Sequence, residues 1–377
     1  MDKRINYRDF SMLIALVLIA TYFYTQDANF LSARNLAQLG IELSATAVLG
    51  LGMLIVILPG HIDLSVGSGV GLIGAVAAVL VVNQDWSALP ALAITTVLSV
   101  LIYTAMGFII IKERVPAFII TLGGLLVFKG VHWLVIASET VPVAPGGSEN
   151  LYSRLTTYYL ASGVGYALSA AAVSGIGFFV WRGHRRHLAR GLASDGELLF
   201  LRWFVSAQVI FLFVLVMNQY KGVPLAALLL GLVALAVHIL LQRTRLGRYL
   251  YAIGGNEEAA VVAGVPVDRV VIGAFALMGL IVALAAFLQT AFGGATTTTT
   301  GQLMELDAIA ACVIGGTSLK GGRGDVIGVL FGALIMAMLL NGMTLLAVTP
   351  EQKFIARGLV LALAVWMDVR LSQSRTG

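Results

Sequence analysis

The chain reads as an all-α polytopic membrane protein with about 12 (10–12) transmembrane helices, and three observations carry that reading. Of 377 residues, 59% are hydrophobic and 11% charged, whereas an ordinary soluble domain carries about a quarter charged residues. Apolar runs of about 20 residues recur along the whole length between short polar breaks, and that is the length needed to cross roughly 30 Å of hydrocarbon as helix. Once those runs are taken as spans, lysine and arginine collect in alternate loops.

In chain order, spans are expected near Phe10 to Tyr24, Leu36 to Leu58, Leu64 to Val82, Ala88 to Ile111 and Ala117 to Ala137. The series continues with Tyr158 to Trp181, Leu198 to Met217, Val223 to Leu241, Val270 to Ala291, Leu303 to Thr317, Val326 to Leu346 and Phe354 to Met367. The start, Met1-Asp2-Lys3-Arg4 before an apolar run, has the look of a signal peptide. An uncleaved first helix is expected instead, because the run continues to about Tyr24 and more spans follow. The span from Leu303 is short enough to be re-entrant.

With both termini on one side, Lys3, Arg4, Arg8, Lys112, Arg114, Arg182, Arg185, Arg186, Arg190, Arg243, Arg245, Arg248, Lys320, Arg323, Arg370 and Arg375 all fall on that side. The positive-inside rule makes it the cytoplasm. The formal charge of +5 is thereby assigned to topology, and nucleic acid is not expected as a partner.

Three stretches are not simple spans. Ser138 to Thr157 reads as an external loop able to carry a short surface helix. Thr296 to Thr300, five threonines in a row, reads as polar, β-branched and external. The longest cytoplasmic loop, 242–269, carries helix formers from Asn256 to Ala263 and a glycine stop at Gly264. A short helix there, introduced by Gly254, Gly255 and Asn256, could enter a soluble partner's groove, with Ala259, Ala260 and Ala263 permitting close approach. An ordinary interhelical loop capped by Asn256 is the alternative.

Catalysis is poorly served by the sequence. No H-E-x-x-H, paired Cys-x-x-Cys or G-x-S-x-G pattern occurs, and Gly315 to Gly321 fails the Walker A order because Lys320 precedes the glycine. The single cysteine, Cys312, sits in an apolar run, so neither a disulfide framework nor a thiolate metal site can be built within the chain. No cofactor and no metal are expected on this chain.

Ionisable residues at membrane depth are functional candidates, since each costs at least about 2.5 kcal/mol on insertion scales. They are Glu42, Asp63, Lys129, His132, His238, Glu305 and Asp307. Lys129 and His132 share a helix face, while Glu305 and Asp307 point apart. For Asp63, Glu305 and Asp307, a span-end position or a structural ion pair is the favoured reading, and His238 is read as interfacial. Gly67, Gly71 and Gly74 stripe one helix and Gly328 and Gly332 form a GxxxG pair, so close helix packing is expected. Pro59 to Gly67 reads as an unwound turn with a loose counterpart in Gly315 to Gly322, a hint of two related halves.

Four segments resemble the branched-chain amino acid and monosaccharide permease family of ATP-binding cassette (ABC) importers: His61-Ile62-Asp63-Leu64-Ser65-Val66-Gly67, Val115 to Gly123, Tyr251 to Ala260, and Glu305 to Leu319. They occur in order over most of the chain. Cys312-Val313-Ile314, Asn341-Gly342-Met343 and Val365-Trp366-Met367-Asp368 look most like the family's xylose permeases. The resemblance implies a single permease domain, residues 1–377, of the type II importer kind, in a bacterial inner membrane. Residues 145–220 would be a two-helix insertion relative to ribose-type permeases.

By the same resemblance, the partners are a second permease copy, a cytoplasmic ATPase that binds the ATP and Mg, a periplasmic sugar-binding protein, and membrane lipid. Gly254, Gly255, Asn256, Glu257, Glu258, Ala259, Ala260 and Gly264 become the ATPase-coupling element. The candidate pathway or gate residues are Asp63, Ser65, Lys129, His132, Glu305, Asp307 and Asn341. The expected function is alternating-access import of a monosaccharide, D-xylose or another pentose. A proton-coupled secondary transporter, or an ABC permease for ribose or galactose, is the alternative. His61 stands where an acidic residue or glycine is common in the family, and the threonine run replaces a mixed segment.

Overall fold

The computed structural model describes residues 7–189 and 195–373. Lys3, Arg4, Arg190 and Arg375 of the basic pattern lie outside them. The first helices are α1 Tyr7–Gln26, α2 Ala33–Ile57, α3 Val66–Val82, α4 Ala88–Lys112 and α5 Ala117–Val135. Strand β1 Val141–Pro142, helix α6 Leu151–Thr157 and strand β2 Tyr159–Leu160 precede α7 Ser162–Ala189 and α8 Gly196–Asn218. Strand β3 Val223–Pro224 leads to α9 Leu225–Arg243, α10 Arg245–Gly255, α11 Glu257–Val262 and α12 Val267–Gly293. Strand β4 Ala295–Thr296, α13 Met304–Ile314, α14 Val326–Leu345 and α15 Pro350–Gln373 complete the order.

Among the described residues, eight helices are long and apolar enough to cross a membrane: α2, α4, α5, α7, α8, α9, α12 and α14. Helices α1, α3, α13 and α15 take the places of the remaining expected spans. Backbone groups in hydrocarbon find no water, so each crossing is helical except where protein covers the break. Two breaks occur. With 11 residues, α13 is about 16 Å long, half a crossing, and α3 at 17 residues starts only after the irregular turn from Pro59 to Ser65.

The core is built on α2 and α12, whose most apolar windows are 78% and 67% buried. Small residues set the spacing. Ser99 of α4 donates to the Gly279 carbonyl of α12 at 2.6 Å, and a Cβ at Gly107 would meet Phe275 Cβ at 2.8 Å and its Cγ at 3.2 Å. Gly328 and Gly332 pack on the Gly315 and Ala311 carbonyls, so the expected GxxxG contact forms between α14 and α13.

The glycine stripe of α3 makes the close helix contact expected of it, a Cβ at Gly74 being set to strike Thr290 Oγ1 of α12, and it also receives a loop. A Cβ at Gly71 would lie 2.5 Å from the Thr300 carbonyl oxygen, and one at Gly67 would strike Glu305 Oε2. The segment from Thr297 to Leu303 therefore folds inward onto α3. Of the threonine run, Thr296 is fully buried in β4, paired with Val141 of β1, Thr297, Thr298 and Thr300 are half-buried, and Thr299 is exposed. Threonine suits that place because its hydroxyl can satisfy local backbone groups, as Thr300 Oγ1 does for the Thr297 amide at 2.9 Å.

Helix α6 is more than a surface helix. Tyr152 is fully buried, donating to the Gly74 carbonyl at 3.2 Å and meeting Phe287 edge-on. The long loop between α9 and α12 holds two helices, not one, because Arg245–Gly255 forms α10 ahead of the anticipated helix.

Candidate functional site

At the basic end of the bundle, α10 and α11 pack onto the apolar core through Leu250, Ile253 and Ala260. Asn256 caps α11, accepting from the Ala259 amide at 2.9 Å, and Glu257 and Glu258 in the first turn complement the helix dipole. Gly264, at φ +77°, ends it in the left-handed region. Ala260 is 4% exposed and faces the permease. Glu257, Glu258 and Ala259 point outward, and Val262 is 89% exposed. The outer face of α11 is therefore acidic at its start and apolar at its end.

Beneath α11, three loops meet backbone to backbone. Gly254 lies so close to the Leu58 carbonyl that a Cβ would overlap it, and the Gly322 amide donates to that same carbonyl at 2.9 Å. Gly321 and Gly322, at φ +86° and +72°, make a turn that other residues would strain. The Tyr251 hydroxyl donates to the Gly324 carbonyl at 2.7 Å. Burial and the nearby Asp325 hold that phenol above its ordinary pKa, so it stays a protonated donor. Of the two glycines singled out by sequence, only Gly254 is sterically required; a Cβ at Gly255 would meet open space. The end of α2, the α10 helix and the turn before α14 thus form one node, and the broken segments start from it.

The candidate pathway residues divide. Asp63 and Ser65 are fully buried, and the Asp63 carboxylate accepts from the Ser65 amide at 2.8 Å and its hydroxyl at 2.6 Å. Both bonds lie within the turn that leads into α3. Lys129 and His132 do not share surroundings. Lys129 is exposed beside Trp133, 5.5 Å from the ring centroid, whereas His132 is 2% exposed and reaches Thr296 Oγ1 at 3.2 Å. The three-residue offset turns them about 60° apart, which the close packing on α3 converts into inside and outside.

Glu305 and Asp307 are 8% and 2% exposed. Asp307 pairs with Arg357 of α15 at 3.3 Å, a structural ion pair. Asn341 joins a chain across α2 and α14: Asn35 Nδ2 donates to Asn341 Oδ1 at 2.8 Å, and Asn341 Nδ2 donates to Glu42 Oε2 at 3.4 Å. Above this chain, on the end away from the basic loops, a cavity of about 560 Å³ is lined by Asn29, Ser32, Arg34, Asn35, Gln38, Asn341 and Thr344. Amides, a hydroxyl pair and one guanidinium are hydrogen-bonding groups suited to a neutral, hydroxyl-rich solute. Sequence reasoning missed Asn35 and Arg357. Arg357 could have been found, since it lies inside the expected span Phe354 to Met367 and falls under the same rule as the other ionisable residues. His238 is exposed on α9, consistent with an interfacial place.

Among the described residues, no group of three His, Cys, Asp or Glu is placed to hold a metal ion. A multi-pass helical bundle with a half-length helix and a polar interior chain is the build of a membrane permease, and the relatives make this chain a transport subunit and not an enzyme itself. The chain belongs to the family described as branched-chain amino acid transport system / permease component, which matches residues 35–365. It is 39% identical over 368 residues to the xylose transport system permease protein XylH of Escherichia coli strain K12, covering 97% of this chain and 93% of that protein. It is 38% identical over 372 residues to XylH of Haemophilus influenzae, covering 97% of each. To the ribose import permease protein RbsC of Escherichia coli strain K12 it is 35% identical over 356 residues, with 94% and 92% covered. No solved structure matches the chain significantly.

Proposed function

We propose that this chain is the permease subunit of an ATP-driven importer for D-xylose or a closely similar pentose, working as a pair of copies in a bacterial inner membrane. The observation that carries the sugar is the 39% identity with a xylose permease along 97% of the chain, above the 35% to a ribose permease. On this reading the basic end is cytoplasmic, and a separate ATPase, which binds ATP and Mg, docks on Glu257, Glu258 and Val262 of α11. A sugar-binding protein delivers cargo at the opposite end, near the cavity over Asn35 and Asn341. Movement of α11 reaches α3 and the half-length α13 through the node at Gly254, Leu58 and Gly322.

A proton-coupled transporter, with Glu305 or Asp307 as relay, is less well supported, because Asp307 lies against Arg357 at 3.3 Å and the relatives at 35–39% identity are named as permeases of a xylose transport system and of ribose import. The test is uptake of radiolabelled xylose and ribose by vesicles containing the permease, with ATPase and binding protein supplied or withheld. Xylose uptake that needs both partners and ATP supports the proposal. Uptake by the permease alone that collapses with the proton gradient overturns it, and equal uptake of ribose moves the substrate.

A further inference from the structure

Helices α7 and α8 form a hairpin in which α7 packs chiefly on α8, while α8 reaches the rest of the molecule through α2 and β3. At the basic end the two helices part around a groove of about 340 Å³, walled by Val180, Trp181, Leu199, Phe200 and Trp203 with Gly177 and Gly196, and with His184 as its polar wall residue. Its floor is rigid. Trp203 Nε1 donates to the Val173 carbonyl at 3.0 Å, and Gly177 leaves room for that indole, since a Cβ there would sit 2.8 Å from Nε1. An apolar slot of this kind takes a hydrocarbon chain.

The mouth is cationic. The Arg185 guanidinium lies over the Trp181 ring, 4.6 Å from its centroid, so a wall of the slot itself holds the charge at the rim. Arg182 lies 6.0 Å from the Phe178 centroid, and Arg186 and Arg202 are exposed nearby on the same hairpin. Two acids share this end: Asp195 is engaged as the α8 cap, accepting from the Leu198 amide at 3.1 Å, and Glu197 is exposed. Four arginines against two carboxylates leave a positive rim over an apolar slot, at the depth where tryptophan marks a membrane boundary.

We propose that this groove binds an anionic phospholipid, with one acyl chain between Trp181 and Trp203 and the phosphate held by Arg185 together with Arg182 or Arg186. Guanidinium groups match phosphate oxygens in pairs, and basic pockets between helices on the basic side suit anionic head groups. A zwitterionic lipid would fill the slot equally but gain less from the rim. A hairpin with few other contacts would thereby be steadied by the lipid.

Native mass spectrometry of the purified permease, incubated with phosphatidylglycerol or phosphatidylethanolamine at equal concentration, tests the site directly. The wild type is expected to retain phosphatidylglycerol by at least about tenfold over phosphatidylethanolamine. The R182Q/R185Q/R186Q variant should lose that preference, while R243Q/R245Q/R248Q, which removes as many charges elsewhere on the same end, should keep it. Glycerol phosphate, a head group without chains, should not displace the lipid. Equal retention of both lipids by the wild type, an equal loss in the two variants, or displacement by glycerol phosphate would each overturn the site.

Discussion

Asp307 and Arg357 meet at 3.3 Å with side chains 4% and 21% exposed, so removing one partner strands a charge in a poorly hydrated place. Arg357→Met should lower stability by about 2–4 kcal/mol, the lower end reflecting the partial exposure of the guanidinium. Thermal unfolding in detergent measures it, and adding Asp307→Asn should restore much of the loss. Were Arg357→Met as stable as wild type yet slow in uptake, the pair would belong to the pathway and not to the scaffold. The two neighbouring glycines of α10 give a sharper contrast. Gly254→Ala gains up to about 1 kcal/mol of helix propensity, but its methyl must displace the Leu58 carbonyl, an overpacking cost of about 1–3 kcal/mol. Gly255→Ala has the same gain with nothing in its way. Uptake should therefore fall in Gly254→Ala and hold in Gly255→Ala; equal behaviour of the two would remove the node from the argument. Tyr251→Phe, losing one hydrogen bond to Gly324, should cost about 0.5–1.5 kcal/mol.

Helix α11 turns Ala260 inward and Glu257, Glu258 and Val262 outward, so charge and folding can be separated on it. Reversing both glutamates to lysine gives up their favourable place at the helix N-terminus and should cost about 1–2 kcal/mol of local stability, while abolishing co-purification of the ATPase and ATP-driven uptake; the double change to glutamine should weaken the association at a smaller cost in stability. Val262→Ser should weaken the same association without altering charge. Loss of folding instead of association would show the helix to be structural. This helix was legible beforehand because its signals are local: a capping asparagine, acids in the first turn and a glycine stop. The span assignments were legible for the same reason, as hydrocarbon thickness acts on each segment separately. The inward fold of Thr297 to Leu303 was not, because it depends on Gly67 and Gly71, more than 200 residues earlier, leaving room on α3. Nor was the Asn35, Asn341 and Glu42 chain: Asn35 and Glu42 lie on α2 and Asn341 on α14, about 300 residues later, and only the packing of the two helices brings them together. Long-range contacts of that kind leave no trace in composition or period.

For the molecule as a whole, the testable claim is topological. Hairpin α7–α8 either crosses the membrane twice or lies against it, and every later helix is oriented by that choice only if the number of crossings is odd. Cys312 is fully buried, so the native thiol should stay silent to an impermeant maleimide and single-cysteine reporters can be read against a clean background. Ser148, Glu197 and Glu258 are all exposed. Ser148 precedes α7, Glu197 opens α8 at the basic end, and Glu258 lies in α11 after α9. If α7, α8 and α9 each cross, Ser148→Cys labels from outside intact cells, whereas Glu197→Cys and Glu258→Cys label only after permeabilisation. The arginines of the hairpin and of the α9–α10 junction then lie on one face, as the positive-inside bias requires. Outside labelling at Glu197 with none at Glu258 would mean that the hairpin does not cross, leaving α9 as the single crossing between the other two reporters. Arg182, Arg185 and Arg186 would then sit on the outer face against the bias, and the lipid groove would open to the opposite leaflet. Labelling of Ser148 and Glu258 from the same side would be more damaging, because the docking helix and the cavity over Asn341 could no longer face opposite compartments, as import driven from one side demands.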